Sequence, residues 1–302
     1  MASREGPTGL EGLVTESRRE DVDYSVRSTR ELVELMNRED ATVPAAVGSV
    51  AGELARTIDA IAERLRDGGR LVYIGAGSSG AIAALDADEC EATFSTEPGQ
   101  VVALVAGAGL AAGERESAED DAGAGAGAVE QHGVSARDAV VGVSASGRTP
   151  YVLAALERAQ AAGALTVALV AARGSQLGAA ADHELAVVVG PEVLAGSTRL
   201  KAGTAQKLVL NTISTVAMIK LGKTYGDLMV DLRASNAKLE GRARRIIRMA
   251  TGVSDEEAET ALAAAGGSAK VAVVALLKEI DADAAHAELE RAGGDIRSAL
   301  ES

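Results

Sequence analysis

Leu71-Val72-Tyr73-Ile74-Gly75-Ala76-Gly77-Ser78-Ser79-Gly80 is the stretch that decides the fold. Four consecutive β-favouring residues, apolar on both alternating faces, read as a short strand covered on both sides. The glycine- and serine-rich run that follows turns the chain, and the alanine-rich segment to about Cys90 reads as a helix. The same order recurs downstream. Val101–Val105 reads as a second strand, after which the acidic stretch Glu114–Asp121 is expected to open a helix. Ala139–Val143 is a third strand, followed by Ser144-Ala145-Ser146-Gly147-Arg148-Thr149-Pro150 and a helix to about Ala161. Leu165–Val170 and Glu184–Val189 supply a fourth and a fifth. Short apolar strands separated by helices imply a parallel sheet covered on both faces, here a doubly wound, five-stranded α/β domain.

Outward from this centre the strand signal stops. Ser28–Asn37 reads as a helix opened by the capping box Ser28/Glu31, and apolar residues recur at helical spacing over Val43–Arg66 before Asp67-Gly68-Gly69. Gln206–Leu221 reads as a long buried helix and Asn236–Met249 as an arginine-rich one. Three short helices follow, at about Ser254–Ala264, Ser268–Glu279 and Ala282–Ala292, the first with a second capping box in Ser254/Glu257. The chain is therefore expected to divide into an N-terminal helical segment (1–66), a ligand-binding α/β domain with its following helix (67–235), and a C-terminal helical module (236–302). A length of 302 residues accommodates such an arrangement.

Composition excludes several classes of function. The net charge of −14 leaves no broad basic surface for a nucleic-acid backbone. A single cysteine, Cys90, rules out an internal disulfide or a cysteine-based zinc site. His132, His183 and His286 are scattered without ligand spacing, so no metal site and no cofactor are expected. Met1–Glu20 is polar and acidic, unlike a signal peptide, and no apolar run reaches the ~18 residues of a membrane span, so a cytoplasmic protein is expected. With one Phe, four Tyr and no Trp, the core must be built from Ala, Val, Leu and Ile.

Ligands of an open parallel sheet bind at the carboxyl ends of its strands. Two Gly/Ser loops lie there, Gly75–Gly80 and Ser144–Pro150, and each leads into a helix whose free N–H groups suit a phosphate. Gly75–Gly80 also spells G-x-G-x-x-G, a weak dinucleotide signal by itself. The acid expected about 20 positions on for a ribose has only Glu97 near it, which precedes Pro98-Gly99 instead of ending a strand. The serine filling favours a phosphate monoester, and no G-x-x-x-x-G-K-[ST] is present. Among the acids, Glu89 stands beside Cys90 in a mostly apolar helix, and Glu119 follows the second strand on the binding edge. Two carboxylates in unequal environments can divide acid and base roles.

Leu71–Phe94 (LVYIGAGSSGAIAALDADECEATF), Val141–Tyr151 (VGVSASGRTPY), Gly190–Asn211 (GPEVLAGSTRLKAGTAQKLVLN), Lys223–Leu239 (KTYGDLMVDLRASNAKL) and Ala250–Leu262 (ATGVSDEEAETAL) resemble segments of the N-acetylmuramic acid 6-phosphate etherases. Thr15-Glu16 and Thr42-Val43-Pro44 fit the opening of that family, so the resemblance spans nearly the whole chain. It departs from the family pattern at Ala81, Glu91-Ala92, Ala108-Gly109 and Ala172-Arg173.

The resemblance implies a sugar isomerase (SIS) fold, flavodoxin-like, in a homodimer that uses no metal. It implies a lyase that cleaves the D-lactyl ether of N-acetylmuramic acid 6-phosphate with water, giving N-acetylglucosamine 6-phosphate and D-lactate in the recycling of cell-wall sugars. In the open-chain sugar the C1 aldehyde acidifies the C2 proton; its removal expels lactate from C3, and water adds back there. By the matching motifs, Glu89 of Asp86-Ala87-Asp88-Glu89-Cys90 is the proton donor and Glu119 of Glu116-Ser117-Ala118-Glu119-Asp120 the second acid. A donor working near neutrality needs a raised pKa, which partial burial of Glu89 is expected to provide. Ser78, Ser79, Ser144, Ser146 and Thr149 are expected at the phosphate, with Ser197, Thr198, Arg199 and Lys201 as substrate or dimer contacts or, alternatively, as a capped helix start. The competing reading is a non-catalytic phosphosugar-binding regulator similar to the glucokinase regulatory protein.

Overall fold

In the computed structural model, residues 13–18, 23–231 and 237–301 are described. All five residues of β1 (Leu71–Gly75) and of β3 (Ala139–Val143), and all six of β4 (Leu165–Val170), are buried, as strands covered on both faces must be. β2 (Val101–Val105) flanks β1 and β5 (His183–Ala186) flanks β4, in the order β2-β1-β3-β4-β5. The pairs β1/β3, β3/β4 and β4/β5 are parallel, with Leu71 opposite Ala139 and Ala139 opposite Leu165. The direction in which the chain winds across the sheet reverses between β1 and β3, the place where a doubly wound sheet opens its binding crevice.

The helices that make these parallel connections are α4 (Gly77–Phe94), α5 (Ala112–Ala118), α6 (Ala122–Gln131), α7 (Pro150–Ala161) and α8 (Gln176–Ala179). Before them lie α1 (Thr29–Asp40), α2 (Val43–Gly48) and α3 (Ala51–Arg66); after them come α9 (Lys201–Lys220) and the C-terminal helices. Val72, Ile74, Val140, Ala168 and Val170 pack with Val152, Leu156 and Ala159 of α7 and Leu177 of α8 in one core. Tyr73 alternates away from that core, and its Oη donates to Asp86 Oδ2 of α4 at 2.8 Å. At the opposite ends of the strands from the crevice, Arg70 and the buried Asp138 form a bidentate pair (Nε–Oδ1 3.1 Å, Nη2–Oδ2 2.9 Å) that ties the start of β1 to the start of β3.

The chain gathers into two compact units, residues 1–87 with 102–213, and residues 88–101 with 214–302. The second has its own core, in which Ile246 and Ile247 of α10 (Ala237–Thr251), Leu262 of α11 (Asp255–Ala264), Val273 and Val274 of α12 (Ala269–Lys278), Leu289 of α13 (Ala282–Arg291) and Ile296 of α14 (Ile296–Glu301) meet.

Several elements differ from expectation for local physical reasons. Val43–Arg66 is two helices, interrupted at Ser49-Val50 just after the poor helix former Gly48. β5 stops at Ala186, because the Val187 N–H bonds the last residue of β4, Val170, and no ladder remains beyond it. The acidic stretch 114–121 closes α5 and opens α6, with Asp121 capping the Ala124 N–H at 2.8 Å. α9 starts five residues before Gln206, and α14 is an extra six-residue helix too short to show a periodicity. Asn236, the expected start of α10, and most of Met1–Glu20 lie outside the described residues. Both capping boxes, Ser28/Glu31 and Ser254/Glu257, are formed. Among the described residues no helix is long and apolar enough to cross a membrane, and no cluster of three metal-ligating side chains occurs.

α6 packs on α7 through its glycines. A Cβ on Gly125 would fall 2.1 Å from the Tyr151 carbonyl oxygen, whereas one on Gly127 would meet only the flexible end of Gln131 at 3.9 Å. Gly125→Ala is therefore expected to lower unfolding free energy by about 1–3 kcal/mol through overpacking. Gly127→Ala, on the same helix, is expected to raise it by about 0.5–1 kcal/mol. Urea denaturation of the two variants checks this opposition of sign.

Candidate functional site

The first Gly/Ser loop is nearly all helix start: β1 ends at Gly75 and α4 begins at Gly77. Gly75 and Gly80 bring strand and helix into backbone contact. A Cβ on Gly75 would sit 2.8 Å from Gly80 Cα, and one on Gly80 would sit 2.7 Å from Val105 Cγ1. The G-x-G-x-x-G spacing thus has a packing reason that requires no dinucleotide. Ser78 is exposed and Ser79 half-buried, both in the first turn of α4. Glu97 is exposed in a turn ahead of β2, away from any strand end.

The second loop is a hydroxyl cluster. Ser144 is buried at the end of β3, with its Oγ 2.8 Å from Thr149 Oγ1 and 3.4 Å from Ser146 Oγ, and it accepts the Gly147 N–H at 3.1 Å. Gly147 has φ +64° and lies so close to Ser175 that a Cβ would come within 2.4 Å of it. Pro150 opens α7, fixing the backbone just after this cluster.

Between the loops stands Glu119. The Cβ position of Gly77 is 4.0 Å from Glu119 Oε2, so the carboxylate faces the first loop. Its own carbonyl accepts the Tyr151 N–H at 3.0 Å, which fastens it to the start of α7 behind the second loop. Gly77, Ala81, Ala84, Val105, Ala106, Arg115, Glu116 and Glu119 line a cavity of about 400 Å³ at the carboxyl end of β2. Although the Glu119 residue is largely exposed, partial desolvation of its carboxyl against the cavity wall, then repulsion from Asp120 and Glu116, pushes it above the ordinary glutamate range. A carboxylate of raised basicity next to two phosphate-type loops can take or hold a proton at a bound sugar phosphate.

The other expected residues fall elsewhere. Glu89 is exposed on α4, so the partial burial expected of it is not found. Cys90 is buried. Lys201 is buried too, with its Nζ 2.9 Å from Glu39 Oε2. The Lys201 and Ala202 N–H groups donate to Glu192 at 3.1 and 2.9 Å. Of the alternatives held for this segment, the capped helix start is the geometry observed for Lys201, and it explains why α9 begins early. Ser197 and Thr198 are half-buried and Arg199 exposed in the preceding turn, where the Gly196 N–H bonds the Thr15 carbonyl. His183 bonds Thr57 Oγ1 at 3.0 Å, and His132 its own helix at Ala128.

Sequence reasoning missed Arg115 in the cavity wall, although its place one helical turn before Glu119 was a visible signal. It also missed Gly125, hidden in an Ala/Gly repeat, and Glu192, whose partners lie nine and ten residues on.

Two family models match the chain: the glucokinase regulatory protein N-terminal SIS domain over residues 53–160, and the SIS domain over residues 124–215. Curated proteins named N-acetylmuramic acid 6-phosphate etherase are similar over nearly its whole length. That of Rubrobacter xylanophilus is 58% identical, covering 95% of this chain and 96% of that protein. That of Streptomyces avermitilis is 54% identical (96% and 94%), and that of Escherichia coli 47% (97% and 99%). A phosphoheptose isomerase from Francisella tularensis shares the fold, with TM-score 0.52 and 18% identity over 64% of this chain and 100% of that one.

A carboxyl raised in the folded state adds stability only while protonated. That contribution is present below the unfolded pKa and lost as pH rises through the folded one. Glu119→Gln is therefore expected to melt higher than the parent at about pH 7.5, with the difference closing near pH 4. Thermal unfolding at the two pH values tests the sign.

Proposed function

The chain belongs to the N-acetylmuramic acid 6-phosphate etherase family, and from that premise we propose that it is a carbon–oxygen lyase. It cleaves the D-lactyl ether of N-acetylmuramic acid 6-phosphate by elimination and hydration, giving N-acetylglucosamine 6-phosphate and D-lactate in the recycling of cell-wall sugars. The observation that carries this is identity of 47–58% to the named etherases above over at least 95% of the chain. The match of residues 53–160 to the glucokinase regulatory protein domain is what favours a non-catalytic regulator, but it covers a part of the chain and the etherase likeness covers nearly all of it.

The site supports a division of labour. The phosphate sits against the two loops, held by Ser78, Ser79, Ser144, Ser146 and Thr149 and by the N–H groups at the starts of α4 and α7. The open-chain sugar then presents C2 and C3 to the carboxylates. Glu119, raised in basicity, takes the C2 proton made acidic by the C1 aldehyde; the electron pair moves to form the C2–C3 double bond and the C3–O bond breaks. Glu89 protonates the departing ether oxygen, and water then adds at C3 as a proton returns to C2. Ser197 serves as a further substrate contact from the turn before α9, while Lys201 holds that turn through Glu39 and Glu192. The sugar phosphate is the partner, the active species is a homodimer, and the protein works in the cytoplasm. Residues 67–235 carry the sugar and residues 236–302 form a separate helical module.

Purified protein incubated with N-acetylmuramic acid 6-phosphate, without added metal or nucleotide, is expected to release D-lactate. In ²H₂O the sugar product gains deuterium at C2; in H₂¹⁸O it gains the label at C3 while lactate stays unlabelled. Glu119→Gln and Glu89→Gln each lower turnover by about 10²–10⁴-fold. Label in lactate, or parental turnover in Glu119→Gln, overturns the mechanism.

A further inference from the structure

Resting on that reading of the reaction, we propose that Arg115 binds the carboxylate of the lactyl group and thereby selects which ether the cavity accepts. Arg115 is the single cation among the residues lining the cavity of Glu119. It precedes Glu119 by four positions, so guanidinium and carboxylate leave neighbouring turns on the same side. Two contacts hold the side chain. Its Nε donates to the Leu110 carbonyl at 3.0 Å, and its Cα and Cγ lie over Gly107, each 3.1 Å from where a Cβ would stand. Among the described residues no carboxylate forms an ion pair with it, which leaves the two terminal nitrogens for an incoming anion.

Substrate chemistry decides which anion. The lactyl carboxylate carbon is two bonds from the ether oxygen, whereas the phosphorus is five bonds from C3. A cation in the wall shared with the group that works at C2 and C3 therefore meets the carboxylate. The phosphate is provided for at the hydroxyl and N–H clusters of the two loops. Glu116 and Glu119 in the same wall repel a carboxylate, so a substrate with this anion needs a cation there to enter at all. A planar guanidinium with both terminal nitrogens available matches a carboxylate bidentately, which a lysine ammonium does not.

The test compares the parent with Arg115→Ala and Arg115→Lys, using lactate release and inhibition by D-lactate, D-lactamide and N-acetylglucosamine 6-phosphate. Arg115→Ala is expected to raise the KM for substrate and the inhibition constant of D-lactate by about tenfold or more. It leaves inhibition by N-acetylglucosamine 6-phosphate, which lacks the carboxylate, as in the parent. D-Lactamide inhibits the parent much more weakly than D-lactate does, and the preference disappears in Arg115→Ala; Arg115→Lys recovers part of it. Unchanged inhibition by the sugar phosphate also reports that the variant is folded. If Arg115→Ala weakens the sugar phosphate as much as D-lactate, or weakens neither, the assignment is wrong while the reaction stands. A parent protein that releases no D-lactate overturns the reading of the reaction and this assignment with it.

Discussion

The peptide of Tyr151 is gripped from both sides, and the site depends on that grip. Its N–H donates to the Glu119 carbonyl at 3.0 Å, and its carbonyl lies against Gly125 of α6, where a methyl group has no room. α7 is itself seated on the sheet through Val152, Leu156 and Ala159 in the central core. The position of β3 is thus passed through α7 to Glu119. The hydroxyls of Ser144 and Thr149 sit at the other end of the same connection, so the anion loop and the acid are set by one piece of packing. Rigid support of this kind is what positions reacting groups to within a fraction of an ångström.

Electrostatics at this edge run against comfort. Partial desolvation raises the proton affinity of Glu119, and Asp120 and Glu116, crowded beside it on a chain of net charge −14, raise it further. Like charges held close destabilise the folded state at neutral pH and tune a base at the same time. Arg115, fixed over Gly107, is the counterweight in the same wall. The remote end of the sheet shows the opposite design: Arg70 and Asp138 are matched and hydrogen-bonded, and they fasten β1 to β3.

Much of the fold was legible before any coordinates. The runs at Leu71, Ala139 and Leu165 announced their strands because a fully covered parallel strand must be apolar on both faces. Ser28/Glu31 and Ser254/Glu257 announced helix starts because a capping box is a local hydrogen-bond pattern. Legibility failed where a distant partner decided the outcome. β5 ends where β4 has no further carbonyl to offer, and α9 begins early because Glu192 reaches forward to cap it. The same holds for side chains. Glu89 was expected to be partly buried and is exposed, and the burial of Lys201 against Glu39 depends on a partner 162 residues away.

By itself the sequence determined the class of fold, the two Gly/Ser loops at strand ends, the absence of disulfide chemistry, and the family. All of these rest on composition, periodicity or contiguous motifs, which are local properties of the chain. Tertiary structure alone decided that the Glu119 carboxyl is raised, that α4, β2 and α5 wall one cavity around it, and that Lys201 is buried. Those outcomes depend on burial and on which residues of α4, β2 and α5 come to share one cavity, and the through-space distances between those elements are written nowhere in their order along the chain.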